Sequence, residues 1–592
     1  MISCLSIRRH FVNWALALRS TCRPQPILVS ALLMIHAGHL AYLGTFYSPT
    51  LNEPAFLAAG IRHWQLGSFE MYRANPPFVR IVAAAPVLMA GARTDWHQFY
   101  SGAGARPELE VGSDFVAANG PRTIWLLMLA RWACLPFSLL GAYVCFLWAR
   151  TIYGVRAGLF AMSLWCFCPS IIGHGSLITT DVPAAALTVA AAYSFWHWLD
   201  RPTWFGALEA GLVLGLAELT KFTLLVFYLV WPLLWILCRW SRWPRDHRDT
   251  VREIAMLTSI LLGSIWVINV GYGFEGTGTR LGEFTFVSKL LTDPEAGRYR
   301  NRFSESLIAV LPIPFPSNYV TGIDTQRHDF ERFEHLSYLG GVFQKSGWWY
   351  YYLYAFAVKL PVGTLGILCM SLIARFNGQL RNQSLCAEAV LVWPSLMVLG
   401  LVSSQTGFNE HMRYALPVLP CVFIWMSQVA ESPLRRWRLA SVLALGCSVA
   451  SCMAAYPHML PYFNELAGGP LRGSEHLLGS NVEWGQDYLL LKKWSEEHPE
   501  ARPMFVGGEH FYDPADIGID ATDLAKLPSM TQYGPTKGWY ALGINEIIRR
   551  RLLDINPNDT VQKVMSDGQP VCRIGCSLYI YCIEPRDTRS DP

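Results

Sequence analysis

The chain has 592 residues, of which 52% are hydrophobic, 13% aromatic and 16% charged, with a formal net charge of +4. Soluble domains carry about 25% charged residues; here the remaining charge is gathered into short basic loops between long apolar runs, which excludes an ordinary water-soluble fold. The small net charge leaves no footprint for nucleic acid, and none is expected as a partner. The first 25 residues hold Arg8, Arg9, Arg19 and Arg23 and read as a cytoplasmic N-terminal segment. The apolar run from Ile27 to Tyr47 is too long for a signal-peptide core and is expected to stay as a first helix. Transmembrane helices are predicted near residues 26–47, 123–149, 157–174, 182–199, 204–219, 222–238, 253–271, 349–374, 387–403, 413–430 and 437–456.

The loops orient this bundle. Arg150 and Arg156, then Arg239, Arg242, Arg245, Arg248 and Arg252, then Arg375 and Arg381, and finally Arg435, Arg436 and Arg438 all fall on one side, which the positive-inside rule makes cytoplasmic. Large outer loops then span 48–122 and 272–347. The first contains Phe78–Gly91, too brief for a span and expected to lie in the interface. The tail 457–592 alternates a polar helix near 486–498 with short β-type runs at 504–507 and 577–583. The expected fold is an α-helical polytopic inner-membrane protein with about eleven transmembrane helices (26–456) and a small α/β extracytoplasmic C-terminal domain (457–592). The 15 cysteines form no zinc pattern. Cys572, Cys576 and Cys582 sit in the tail, where export would allow a disulfide and free thiols are the plainer reading.

Polar residues near the outer ends of the spans are the candidates for chemistry. Glu53, with Asn52 before it and Pro54 after, stands just beyond the first span; it is a base in a partly desolvated setting or a helix-start acid. Asp181 follows Gly173-His174-Gly175 and Thr179-Thr180 at the next outer turn, as an acid for catalysis or an N-cap. Lys221 lies at the outer turn between the fifth and sixth predicted spans. Lys359, about ten residues into the run from Trp348, would sit roughly 15 Å down a continuous helix, a costly depth for an ammonium. His411 and Arg413 begin the tenth span. These cations suit a phosphate or pyrophosphate. The aromatic cluster Trp348–Tyr352 and Tyr354 reads as an interfacial belt or the flank of a sugar or polyprenyl chain.

Read in order, these segments resemble lipid-carrier-dependent glycosyltransferases of the GT-C fold, above all the protein O-mannosyltransferase-like family and, more distantly, bacterial aminoarabinose transferases. The resemblance runs through Asn52-Glu53-Pro54-Ala55, Asn75-Pro76-Pro77, Gly173–Asp181, Leu219-Thr220-Lys221-Phe222, Trp348–Tyr352 with Lys359-Leu360-Pro361, and Asn409–Pro417. It ends in Tyr462–Pro470 and Ser480–Asp487. It implies transfer of a sugar from a polyprenyl-phosphate donor to an extracytoplasmic glycan, lipid or protein. Glu53 and Asp181 would be catalytic, with Asn52, His174, Arg80, Lys221, Lys359, His411 and Arg413 around donor and acceptor in contact with membrane lipid. Two departures stand out. Asn52 occupies the position of the first acid in the family's Asp-Glu pair and cannot take a proton. Asn75 stands where relatives carry His or Lys. No cofactor is called for; a divalent metal is the open option, although no ligand cluster stands out. A non-catalytic assembly partner and a binder or transporter of lipid-linked sugars are the competing expectations.

Overall fold

A backbone inside a bilayer core must satisfy its own hydrogen bonds, so apolar runs of about 20 residues become helices. The computed structural model describes residues 24–240, 247–293, 300–332, 336–380, 384–526, 537–553 and 560–583. Arg8, Arg9, Arg19, Arg23, Arg242, Arg245 and Arg381, on which part of the expected orientation rests, lie outside the described residues. All eleven predicted spans are helical. Seven are unbroken: Pro24–Phe46, Arg122–Ile152, Asp181–Asp200, Trp204–Glu218, His247–Gly271, Leu385–Ser404 and Arg435–Ala455. Among the described residues, seven helices are long and apolar enough to cross a membrane, or up to nine if each of two sharply bent pairs is one span. The count falls short of eleven because Trp204–Glu218 has only 15 residues and the alanine-rich Asp181–Asp200 is too weakly apolar.

The bends lie where the sequence breaks helices. Val155–Cys166 and Pro169–Gly175 meet at 58°, across Cys168, which precedes Pro169. Tyr351–Lys359 and Val362–Phe376 meet at 116°. Here Leu360 is extended ahead of Pro361, the conformation a following proline imposes. The span predicted as one helix over 349–374 is therefore broken, and Lys359 ends a helix instead of lying within one. The tenth span is a relay of short helices, Met412–Val418, Leu419–Met426 and Ser427–Glu431, with Pro417 and Pro420 within it.

Small residues let helices approach. Gly211 and Gly215, four apart on one face, rest on the helix His247–Gly271; an added Cβ would stand 2.8 Å from the Ile260 carbonyl oxygen at Gly211 and 2.5 Å from Val267 Cβ at Gly215. The first large loop is more helical than expected, with Glu53–Leu66, the predicted short helix as Phe78–Met89, and Glu108–Asn119. The second holds Ser317–Arg332 and a hairpin of β1 (Ser337–Leu339) and β2 (Val342–Gln344).

The tail contains the predicted helix as Tyr488–Glu497 and a five-stranded mixed sheet. Its strands are β3 (Met504–Gly507), β4 (Thr522–Asp523), β5 (Gly538–Gly543), β6 (Pro570–Ile574) and β7 (Leu578–Ile583), in the order β4-β3-β5-β7-β6. β4, β3 and β5 run parallel; β7 pairs antiparallel with both β5 and β6. Residues before the sheet return to the bundle. Met459, Leu460 and Trp484 pack with Leu40, Leu43, Tyr47 and Ile172, and the Asn464 amide donates to the Ala357 and Leu360 carbonyls at the helix break. Cys572 and Cys576 remain thiols; among the described residues a disulfide joins Cys238 to Cys386, between two spans.

The close glycine contact sets a test. Gly215→Leu drives a side chain into Val267 and is expected to destabilise the protein by about 1–3 kcal/mol. A detergent thermal-unfolding midpoint equal to wild type would contradict this packing.

Candidate active site

One end of the bundle opens into a cavity of about 350 Å³. It is walled by the loop at Asn52, the start of Asp181–Asp200, the turn at Lys221, the helix Ser317–Arg332, the end of Leu385–Ser404 and the start of Met412–Val418. Phe56, Phe222, Leu225, Leu401, Val402 and Phe408 give it an apolar side, and Leu401 is also exposed on the outside of the bundle. The cations Arg106, Lys221, Arg327 and Arg413 line it against the carboxylates Asp181 and Asp329.

Asp181 lies at the charged focus. Thr180 is the N-cap residue of its helix, and no side chain caps that helix. The Asp181 carboxylate faces across the cavity instead, accepting from Lys221 Nζ at 2.8 Å and Arg413 Nη1 at 3.2 Å. The three residues are 40 and 232 positions apart in sequence. The fold therefore brings together three of the predicted site residues. Asn52 joins them on the cavity wall, donating from Nδ2 to the Tyr72 hydroxyl at 2.7 Å and accepting from the Trp484 indole at 3.1 Å.

Glu53 is arranged differently. Its carboxylate is fully buried and is absent from the cavity wall. Oε1 accepts from Arg131 Nε at 2.8 Å and the Ile178 backbone N–H at 3.2 Å; Oε2 accepts from Arg131 Nη2 at 2.5 Å and from Thr50 N and Oγ1 at 3.0 and 2.9 Å. Arg131 spends its other donors on the carbonyls of Gly44, Tyr47 and Ser48. The pair thus pins the end of the first span to the second span and to the chain just before Asp181.

The other predicted residues surround the cavity without lining it. His174 sits 5.9 Å from the Trp484 ring. Lys359 Nζ donates to the Leu460 and Asn481 carbonyls at 2.8 and 2.7 Å and faces the Phe463 ring at 4.6 Å, so the helix break supplies the partners its charge needs. Burial drives the His411 imidazole well below its usual range, with Arg413 acting in the same direction. It is therefore neutral: Nδ1 accepts from the Ser480 N–H at 3.3 Å, which leaves the Nε2 proton for Glu410, 3.3 Å away. Arg80 donates from Nε to His63 Nε2 at 2.7 Å.

Sequence reasoning passed over several neighbours. Arg131 lies inside a predicted span, where a cation is functional or paired by default, and that signal was available. Arg106 and Asp329, which bond to each other, and Tyr72 and Gln326 come from irregular loops or a polar helix that no motif marked. Trp484 lies in the Ser480–Asp487 stretch and reads from sequence as a glycan or acceptor binder or as packing, with no sign of its partner. Its ring lies 4.1 Å from the Arg413 guanidinium.

Residues 120–274 match the family described as dolichyl-phosphate-mannose-protein mannosyltransferase. The match covers a little over a quarter of the chain and includes Arg131, Asp181 and Lys221, while Asn52, Arg413 and Trp484 fall outside it. Among solved structures, ArnT from Cupriavidus metallidurans bound to undecaprenyl phosphate is 12% identical, with a TM-score of 0.40 over 94% of this chain and 97% of that one. AglB from Archaeoglobus fulgidus, in complex with an inhibitory peptide and a dolichol-phosphate, is 10% identical, with a TM-score of 0.43 over 94% of this chain and 74% of that one. No curated protein sequence matches the chain. Among the described residues, no group of three or more His, Cys, Asp or Glu is placed to hold a metal ion.

Behind the cavity, Glu483 is buried where the tail meets the bundle. Its carboxyl accepts from the Asn545 and Glu509 backbone N–H groups at 2.8 and 3.3 Å. Gly543 and Gly508 make room for it: an added Cβ would fall 2.0 and 2.8 Å from Oε1. Burial, with the Glu509 carboxylate adding to it, pushes the Glu483 carboxyl up to about 8.

Two outcomes are expected. Arg131→Leu leaves Glu53 buried without its counter-charge, a loss of about 3–5 kcal/mol, read as a lower detergent unfolding midpoint; an unchanged midpoint would count against the pair. Glu483 binds its proton more tightly when folded, so its stabilising contribution is complete below its ordinary value of 4.5 and is lost as pH rises through about 8. Midpoints measured from about pH 5 to about pH 9 should fall more steeply in wild type than in Glu483→Gln.

Proposed function

We propose that the protein is an inner-membrane glycosyltransferase of the GT-C type that moves a sugar from a polyprenyl-phosphate donor to an extracytoplasmic glycan, lipid or protein. The observation that carries this reading is the single carboxylate of Asp181, held between an ammonium and a guanidinium on the wall of a cavity whose other side is apolar. Lys221 and Arg413 take the donor phosphate. The polyprenyl chain follows Leu225, Phe408, Val402 and Leu401 outward to the lipid. The acceptor enters from the side of Arg106, Gln326 and Asp329. The N-terminus is cytoplasmic, and the cavity and the tail face the periplasm, in keeping with the loop arginines.

In the transfer step the acceptor oxygen attacks the anomeric carbon opposite the phosphate. The carbon–oxygen bond to phosphate breaks, the new glycosidic bond forms with inversion, and the hydroxyl proton passes to the Asp181 carboxylate. Polyprenyl phosphate departs on Lys221 and Arg413, which stabilise its charge. Phosphate oxygens compete with Asp181 for both cations, so donor binding itself loosens the carboxylate for the acceptor. Glu53, through Arg131 and the Ile178 N–H, is a positioning residue for the Asp181 loop.

Asp181→Asn is expected to lower kcat by about 100-fold or more while polyprenyl-phosphate binding persists. Lys221→Met and Arg413→Met are expected to raise the donor KM. A folded Asp181→Asn protein with wild-type transfer would overturn the assignment. Asn52 at the acid position favours a second reading, a non-catalytic assembly partner; wild-type protein that binds donor but transfers to no acceptor would select it.

A further inference from the structure

Arg413 is held by a part of the chain far from it in sequence. Its Nε donates to Ser480 Oγ at 3.2 Å, its Nη1 donates to Asp181, and its flat face lies 4.1 Å from the Trp484 ring. A guanidinium fixed by an edge hydrogen bond and an aromatic face keeps few of its rotamers, so its remaining donors meet a ligand already oriented. Trp484 also reaches the opposite wall, through its indole bond to Asn52. Neither Ser480 nor Trp484 lines the cavity, so neither is placed to touch the donor directly.

The stretch that carries them is itself anchored on two sides. Toward the bundle, Asn481 Oδ1 accepts from the Met412 N–H at 3.0 Å, next to Arg413 in the chain. Toward the sheet, the Gly479 N–H donates to Asn545 Oδ1 at 2.9 Å, at the start of the helix Ile544–Leu552. A continuous path of bonds therefore runs from the α/β unit through residues 479–484 to the cation beside Asp181.

We infer that Ser480 and Trp484 form a clamp that sets the Arg413 guanidinium for the donor phosphate, with Asn545 holding the clamp against the α/β unit. The inference rests on the proposed role of Arg413 as a phosphate ligand. The α/β unit then acts on the donor site as a positioning element, and disturbing it weakens the hold of Arg413 on the phosphate both in the bound donor and as it departs.

The test uses the full-length protein in nanodiscs and reads two quantities, the affinity for a polyprenyl phosphate and the KM and kcat of transfer. Ser480→Ala is expected to weaken polyprenyl-phosphate binding by about tenfold, with a raised KM and a smaller fall in kcat; Ser480→Thr, which keeps the hydroxyl, is expected to restore binding and turnover. Trp484→Leu is expected to behave like Ser480→Ala, whereas Trp484→Phe, which keeps a ring under the guanidinium, is expected to lose less and serves as the check on folding. Asn545→Ala should raise KM in the same direction. Wild-type affinity in Ser480→Ala and Trp484→Leu, alongside lost affinity in Arg413→Ala, would overturn the clamp and leave the phosphate assignment standing. Wild-type affinity in Arg413→Ala would overturn the phosphate assignment itself, and the clamp with it.

Discussion

A carboxylate buried at the end of an apolar bundle is tolerable only where a cation and hydrogen-bond donors meet it. The structure meets that constraint in opposite ways at Glu53 and at Asp181. Glu53 is surrounded on every side by Arg131, Thr50 and the Ile178 N–H, and its oxygens have nothing left to offer a ligand. Asp181 is matched by Lys221 and Arg413 across an open cavity, so a phosphate can enter the same field of charge. The first arrangement builds the architecture and the second is available for chemistry. The Ile178 N–H links them, because it binds the Glu53 carboxylate three residues before Asp181.

The second constraint comes from the chain's far end. A helical bundle alone would leave Arg413 and Lys359 at an exposed rim. Residues 457–484 return to that rim and supply what these groups lack: carbonyl oxygens for Lys359, a hydroxyl and a ring for Arg413. Lys359 explains why the eighth span has to break. With a continuous helix its ammonium would lie among apolar neighbours; the bend at Leu360-Pro361 brings it against the Leu460 and Asn481 carbonyls.

How much of this was legible in the sequence follows from range. Apolar runs are local, so all eleven helical segments and the tail helix Tyr488–Glu497 could be read directly, as could strands β3 and β7. The convergence of Asp181, Lys221 and Arg413 was accessible through topology, since all three were expected at the same end of the bundle. The Glu53–Arg131 pair spans 78 residues and has no periodic signature, although an arginine inside a span was itself a warning. The break after Lys359 was written in Leu360-Pro361 and passed over because the hydropathy is continuous across it. Trp484 could be read as a ring for binding or packing within Ser480–Asp487, but its partners Arg413 and Asn52 stand 71 and 432 positions away in the chain and leave no local signal.

Asn52 shows what the local electrostatics require. As an amide it donates to the Tyr72 hydroxyl and accepts from the Trp484 indole, satisfying both neighbours with no charge of its own. The cavity is lined by Arg106, Lys221, Arg327 and Arg413 against Asp181 and Asp329, an excess of positive charge that suits a phosphate anion. An aspartate at position 52 would still accept from Trp484, but it would lose the donation to Tyr72 and add a carboxylate to the cavity wall that holds Asp181. The amide therefore preserves both the bonds of the wall and the charge balance that favours an anionic donor. With an amide at position 52, Asp181 is the carboxylate that meets Lys221 and Arg413 on this wall.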